Sequence, residues 1–314
     1  MFATAALGTP AALWLVDALM SRLRQFSFEG CHVLITGGSS GIGLATAKAL
    51  LVLSNPPSRI TIAARTANTL ETAKTSLADS SIHTLTLDVT DHRACSEAAK
   101  GIPAVDVLIN CAGTSLPGTL ETLSIDDIDT TVKLNLLGSI YLTKALLPSM
   151  KQRGKGRIVF VSSQAGQAGL YGYTAYSASK FGLRGFAEAL AMEVAPAGLA
   201  VSIAFPPDTD TPCLARENLR KPEITRLISE ASGSMTADAV ASKLIAGVSA
   251  GQFLISMSLD GWILSTLALG MPPASASLVE SALQLLLLPI LRIVGLAYHA
   301  YFTFIVSRNY KLGP

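Results

Sequence analysis

Seven short apolar runs, separated by segments long enough to hold crossover helices, constrain this chain more than any other feature. They are HVLIT, RITIAA, IHTLTL, VDVLIN, GRIVFVS, LAVSIAF and QFLISMS, spread between about residues 31 and 257. Most are continuous in Val, Ile and Leu, as strands buried on both faces are. Strands alternating with helices at this spacing form a parallel sheet covered by helices on each side. The expected fold is α/β: one doubly wound, Rossmann-type domain with a seven-stranded parallel sheet over residues 30–277. No internal repeat or low-complexity linker interrupts it.

The first run leads into ITGGSSGIGLA, which holds four glycines and two serines. Between a strand and a helix, such a turn lets a ligand approach the backbone, and the helix dipole and free N–H groups favour an anion there. An ordinary tight βα turn is the bland reading, so the rest of the chain must decide. The anion expected is the pyrophosphate of a dinucleotide, with Gly37, Gly41 and Gly43 permitting the approach, Ile42 in the same turn, and Ser39 and Ser40 offering hydroxyls. After the second run, where an acidic residue would hold a ribose 2′-hydroxyl, Ala63 and Ala64 are followed by Arg65. A guanidinium there pairs with a 2′-phosphate, which points to NADPH rather than NADH, unless Arg65 is merely a solvated helix-start residue. Asp88 ends the third strand, either beside an adenine edge or as a helix cap. Asn110 ends the fourth, in INCAG, beside the expected cofactor.

The segment VSSQAGQAGLYGYTAYSASKFGL carries the chemistry. Tyr176 and Lys180 are four residues apart on a predicted helix and share a face. A phenol is a weak acid at neutral pH, and an adjacent ammonium stabilises its phenolate. Tyr176 can then give a proton to a ketone oxygen as hydride reaches the carbon. Ser163, thirteen residues earlier at a strand end, can hold the same oxygen.

Together these motifs resemble the short-chain dehydrogenase/reductase family: T-G-x-x-x-G-x-G, N-x-A-G, a serine and Y-x-x-x-K, all present over residues 30–257. The resemblance implies catalytic roles for Asn135, Ser163 (rather than Ser162), Tyr176 and Lys180, with Asn135 holding a proton-relay water. It also implies that Tyr176 and Lys180 touch the cofactor. After strand six the family usually has Pro-Gly, whereas this chain reads AFPPDTDTP. With RKPEITRLISE and SLDGWILSTLALGMPP downstream, it is similar to a membrane-bound branch of the family. That branch implies NADPH-dependent reduction of a long-chain keto-amine lipid in sphingolipid synthesis. It also implies the endoplasmic reticulum membrane, with the active site facing the cytosol. Asp208 and Asp210 are candidate counter-charges for the amine, or turn and cap residues. A related enzyme for a steroid, retinoid or fatty-acyl ketone, or an inactive NADP-binding scaffold, are the rival readings.

A lipid substrate accords with the composition. Only 15% of residues are charged and 50% are hydrophobic, against about 25% charged in ordinary soluble domains. Residues 1–29 form an apolar N-terminal segment whose run over 3–20 holds one charge, Asp17, with no basic stretch before it. It reads as an uncleaved anchor, an interfacial helix or a packing helix rather than a cleaved signal. Residues 278–314 are apolar again, with Pro289 and Arg292 central and Tyr298, Tyr301, Arg308 and Lys311 as flanks. A kinked interfacial helix or re-entrant pair is expected, or a helix in a homo-oligomer interface. A net charge of +2 gives no argument for a nucleic-acid partner. The four cysteines have no metal-ligand spacing with the four histidines, so no metal is expected and the thiols read as reduced.

Overall fold

The computed structural model describes residues 25–230, 233–268 and 278–309. All seven predicted runs are strands of one sheet: β1 (His32–Thr36), β2 (Arg59–Ala64), β3 (Ile82–Thr86), β4 (Val107–Asn110), β5 (Gly156–Val161), β6 (Leu199–Phe205) and, after an unpredicted pair, β9 (Leu254–Ser256). The pair is β7 (Asp208–Asp210) with β8 (Ser234–Thr236), parallel to each other and apart from the main sheet. Main-sheet order is β3-β2-β1-β4-β5-β6-β9, parallel throughout. Order therefore reverses between β1 and β4, and the crevice beyond their carboxyl ends is where a doubly wound sheet binds ligands.

The helices are α1 (Gly41–Leu51), α2 (Ala67–Leu77), α3 (His92–Gly101), α4 (Ile125–Val132), α5 (Gly138–Arg153), α6 (Thr174–Val194), α7 (Pro212–Asn218), α8 (Glu223–Glu230), α9 (Ala237–Ser249), α10 (Leu259–Leu267) and α11 (Leu278–Asn309). Continuous hydrophobicity in the strands follows from burial on both faces. Leu34, Leu108, Ile158 and Phe160 pack in one core with Leu142 and Leu183 from α5 and α6. Val33, Ile35, Val107, Ile109 and Val159 point the opposite way, against Leu50 of α1 and Leu244 of α9.

The folded body begins ahead of the boundary expected at residue 30. Phe28 is 2% exposed and belongs to the second core, and the Phe26 amide donates to Ser249 O at 2.8 Å. The rest of the apolar N-terminal segment lies outside the described residues. At the other end, α11 is a single helix rather than a re-entrant pair, about 48 Å long at 1.5 Å per residue, with Pro289 inside it. It packs against α10 and α8, burying Leu291 and Ile305. It leaves Leu283, Leu285, Leu286, Leu288, Ile290, Ile293, Leu296, Tyr301 and Phe304 exposed. Among the described residues no helix is long and apolar enough to cross a membrane. Tyr298 and Lys311 lie outside what is described for side chains, whereas the Arg308 and Arg292 side chains are exposed.

Candidate active site

An open cleft of about 500 Å³ lies beyond the carboxyl ends of β1, β4 and β5. Its walls include Gly37, Ser39, Ser40, Gly41, Ile42, Gly43, Arg65, Ser163, Tyr176 and Lys180. At the turn between β1 and α1, a Cβ on Gly43 would collide with the Gly37 carbonyl oxygen. Gly37 adopts φ +68° and lies so close to Ala112 that a Cβ there would meet its backbone at 3.0 Å. Thr36 Oγ1 ties the two halves of the crevice together by accepting from the Cys111 and Ala112 amides, each at 3.0 Å. Ser40 sits at the N-cap of α1 in extended backbone, but its side chain makes no capping hydrogen bond. The helix N-terminus therefore faces the cleft without an intrachain side-chain acceptor, as a site for phosphate requires. Arg65 follows β2, exposed on the cleft wall, with no ion-pair partner among the described residues.

Two expected cofactor residues are placed differently. Asp88 is not in the cleft wall, although Leu87 and Val89 on either side are. Its Oδ1 accepts from the Thr90 amide at 2.9 Å and the Thr90 hydroxyl at 2.8 Å, and the cap of α3 is Asp91 instead. Asn110 is 2% exposed and donates to Thr143 Oγ1 at 3.2 Å, bracing β4 against α5. The backbone after it, Cys111 to Ser115, is what lines the cleft. Burial pushes the Cys111 thiol up to about 12, so it stays a neutral thiol.

The four candidate catalytic residues converge. Tyr176 and Lys180 lie on α6, with the Lys180 ammonium 5.7 Å from the Tyr176 ring centre. Lys180 is 5% exposed and donates to Val161 O at 3.0 Å, and burial lowers its pKa to about 8. Burial raises the Tyr176 phenol above its ordinary value, while a hydrogen bond with Ser163 lowers it. Ser163 also accepts from the Ala165 amide at 3.1 Å, which holds its hydroxyl at the end of β5. Neighbouring Ser162 turns away and donates to Lys180 O at 3.2 Å, bracing α6.

Asn135 enters through a feature the sequence did not announce: a π-helical segment, Lys133–Leu137, between α4 and α5. Such one-turn bulges re-aim a side chain within a helical run. Asn135 Oδ1 accepts from the Thr114 amide at 2.8 Å, and its Nδ2 donates to Thr114 O at 2.9 Å and Ser179 Oγ at 3.1 Å. Its amide thereby clamps the post-β4 loop to α6. A Cβ on Gly113 would lie 3.1 Å from Asn135 Oδ1 and 3.6 Å from Lys180 Nζ, so both groups flank this glycine.

Residues not foreseen from the sequence close the far end of the cleft: Tyr173, Glu217 and Ser229. Asp208, a foreseen counter-charge, lies with them, whereas Asp210, also on β7, is exposed and outside the wall.

A dinucleotide-type crevice joined to a Ser, Tyr and Lys constellation defines the class, and the comparisons agree: the chain belongs to the short chain dehydrogenase family, whose model matches residues 31–222. Two relatives are similar over nearly the whole chain. It is 41% identical over 307 residues to the 3-ketodihydrosphingosine reductase of Bos taurus, covering 94% of this chain and 91% of that one. Identity and coverage are the same for the 3-dehydrosphinganine reductase of Danio rerio. Among solved structures, a short-chain dehydrogenase from Sphingobium yanoikuyae in complex with NADPH matches with a TM-score of 0.64 at 25% identity, covering 73% of this chain and 88% of that one.

Proposed function

We propose that this protein reduces 3-ketosphinganine to sphinganine with NADPH. The observation that carries the reading is the convergence of Ser163, Tyr176 and Lys180 in one cleft, in a chain 41% identical over 307 residues to reductases named for that ketone. The uncapped N-terminus of α1 and the Gly37–Gly43 cradle fit a pyrophosphate, and Arg65 fits a 2′-phosphate. When bound, the reduced nicotinamide supplies hydride. Ser163 holds the ketone oxygen, Tyr176 donates its proton to that oxygen, and the Lys180 ammonium stabilises the phenolate left behind. Asn135 fixes the loop and helix between which these groups stand, and by family resemblance positions the water that returns a proton through Lys180.

Incubating the full chain in lipid with 3-ketosphinganine and NADPH, then analysing the product, tests the reading. Sphinganine is expected, and its absence while other ketones are reduced overturns the substrate. Arg65→Ala should raise KM for NADPH by about 10- to 100-fold, the loss of one charge-assisted pair. KM for NADH should be nearly unchanged. Equal losses with both cofactors would show that Arg65 does not read the 2′-phosphate.

The exposed apolar side chains of α11 support attachment to a membrane surface, and we place the enzyme at the endoplasmic reticulum membrane with its cleft toward the cytosol. An amphiphile of this kind resides in lipid, and an interfacial helix lets the enzyme draw out only part of it. Replacing Leu285 and Ile293 together with Asp should sharply reduce co-flotation with phosphatidylcholine vesicles. Reduction of a short, water-soluble ketone should persist. Unchanged flotation would assign attachment to the N-terminal segment.

A further inference from the structure

The cleft beyond Tyr176 carries a charge arrangement that reduction of a plain ketone does not use. Asp208 from β7 and Glu217 from α7 both line it, as do Tyr173 and Ser229. Behind them stands Lys221, whose side chain is only 2% exposed and which is not part of the wall. Lys221 Nζ reaches Asp208 Oδ2 at 3.0 Å, Glu217 Oε1 at 3.1 Å and Ser229 Oγ at 3.4 Å. The Tyr173 hydroxyl donates to Glu217 Oε1. Two carboxylates thus share one ammonium, leaving one net negative charge, and the cation lies on the protein side while the carboxylates face the cleft.

A charge left in excess at a half-buried site is costly unless a partner arrives. Of the other cations of the cleft, Lys180 stands beside Tyr176 and Arg65 follows β2, while Arg216, next to Glu217 in the chain, is exposed and forms no ion pair with either carboxylate. The Tyr173 and Tyr176 rings are 5.6 Å apart, so the carboxylate held by one phenol adjoins the phenol that gives the proton. Both carboxylates act electrostatically on Tyr176. A separate observation also marks this cleft for a polar head. Ser115 Oγ, in its wall, is buried and has no hydrogen-bond partner among the described residues.

We propose that Glu217 and Asp208, held in place by Lys221 and Tyr173, form a subsite for the ammonium of an α-amino ketone and make the enzyme select such ketones over otherwise equal ones. In an α-amino ketone the nitrogen sits on the carbon next to the carbonyl. With the carbonyl oxygen at Ser163 and Tyr176, the ammonium stands only two bonds from the carbonyl carbon, within reach of carboxylates that adjoin Tyr176. The ammonium supplies the missing positive charge, and an adjacent hydroxyl of the head can satisfy Ser115. The inference rests on the reductase reading above and adds the residues that choose the substrate.

The test compares the full-length wild type, Glu217→Gln and Asp208→Asn on 3-ketosphinganine and on the ketone of equal length lacking the amine. Gln keeps an acceptor for Tyr173 and removes the charge. Loss of a charge-assisted contact should lower kcat/KM for the amino ketone by about 10- to 100-fold, mainly through KM. The amine-free ketone should change less than about threefold, with NADPH affinity preserved. Equal losses on both ketones overturn the subsite in favour of a structural role. So does a wild type that reduces both ketones equally well. Calorimetric binding of sphinganine to the NADPH-loaded wild type, a pairing with no hydride acceptor, reads the subsite without turnover. Binding at least about tenfold tighter than the amine-free alcohol supports it even if neither ketone is reduced, an outcome that would overturn the reductase reading alone. Equal binding of the two alcohols overturns the subsite itself.

Discussion

Tyr176→Phe is expected to fold, bind NADPH with wild-type affinity and lose about 10²- to 10⁴-fold in turnover, the range that a positioned general acid contributes. The ring remains, so its contacts with Tyr173 and Lys180 persist. What goes is the hydroxyl that bonds Ser163 and that we propose as the proton donor. No second phenol takes its place. Tyr173 is the other tyrosine of the cleft wall, but its hydroxyl is committed to Glu217. Burial first, then the Glu217 charge, hold it far above the ordinary tyrosine range. Tyr173→Phe should therefore cost much less than Tyr176→Phe on an amine-free ketone. Single-turnover reduction with prebound NADPH separates chemistry from binding. A Tyr176→Phe rate above about a tenth of wild type would place the proton source elsewhere.

The fold was legible because parallel strands covered on both faces need continuous apolar runs, and those runs survive in the sequence without knowledge of partners. The candidate catalytic Tyr and Lys were legible for a related reason: a spacing of four on a helix already fixes their shared face. Asn135 was found only through family resemblance, since nothing local in KLNLL signals a π-helical segment. Glu217 and Lys221 were missed because an i, i+4 acid–base pair in ARENLRK reads as a solvated helix face. Only the burial imposed by β7, α8 and Tyr173 turns it inward. Asp88 and Asn110 were legible by position but not by partner. Asn110 ends β4 and Asp88 lies two residues beyond β3, and short polar side chains there also bond their own turns and neighbouring helices, as Asp88 does with Thr90 and Asn110 with Thr143. The β7–β8 pair escaped because three-residue strands carry no period to read. Phe26 and Phe28 escaped because burial of an aromatic ahead of the first strand depends on α9 and β5, which are far away in sequence.

Lys180→Met separates what this lysine does for the fold from what it does for the reaction. The ammonium is buried beside Tyr176, and burial lowers its pKa from 10.5 to about 8. At pH 7 it is still charged, and in the proposed reaction that charge stabilises the phenolate formed when Tyr176 gives up its proton. Turnover should fall by about 10²-fold or more on removing it. In the wild type, reduction should weaken as pH rises through about 8, where Lys180 loses its charge. That limb should be missing in the variant. Stability should move the other way. Because the folded pKa is depressed, the unfolded chain binds more protons between about 8 and 10.5. The cost of the buried charge is therefore complete below about 8 and relieved as pH climbs through that window. The variant loses the bond to Val161 O, worth about 1 kcal/mol, but no longer buries a charge. Its Tm should accordingly equal or exceed that of wild type at pH 7, and the difference should shrink toward pH 10.5. Thermal melts across this range together with pH–rate profiles check both halves. A variant that is inactive and also much less stable at pH 7 would make Lys180 a structural residue of α6, and a wild-type profile flat through pH 8 would remove its charge from the reaction.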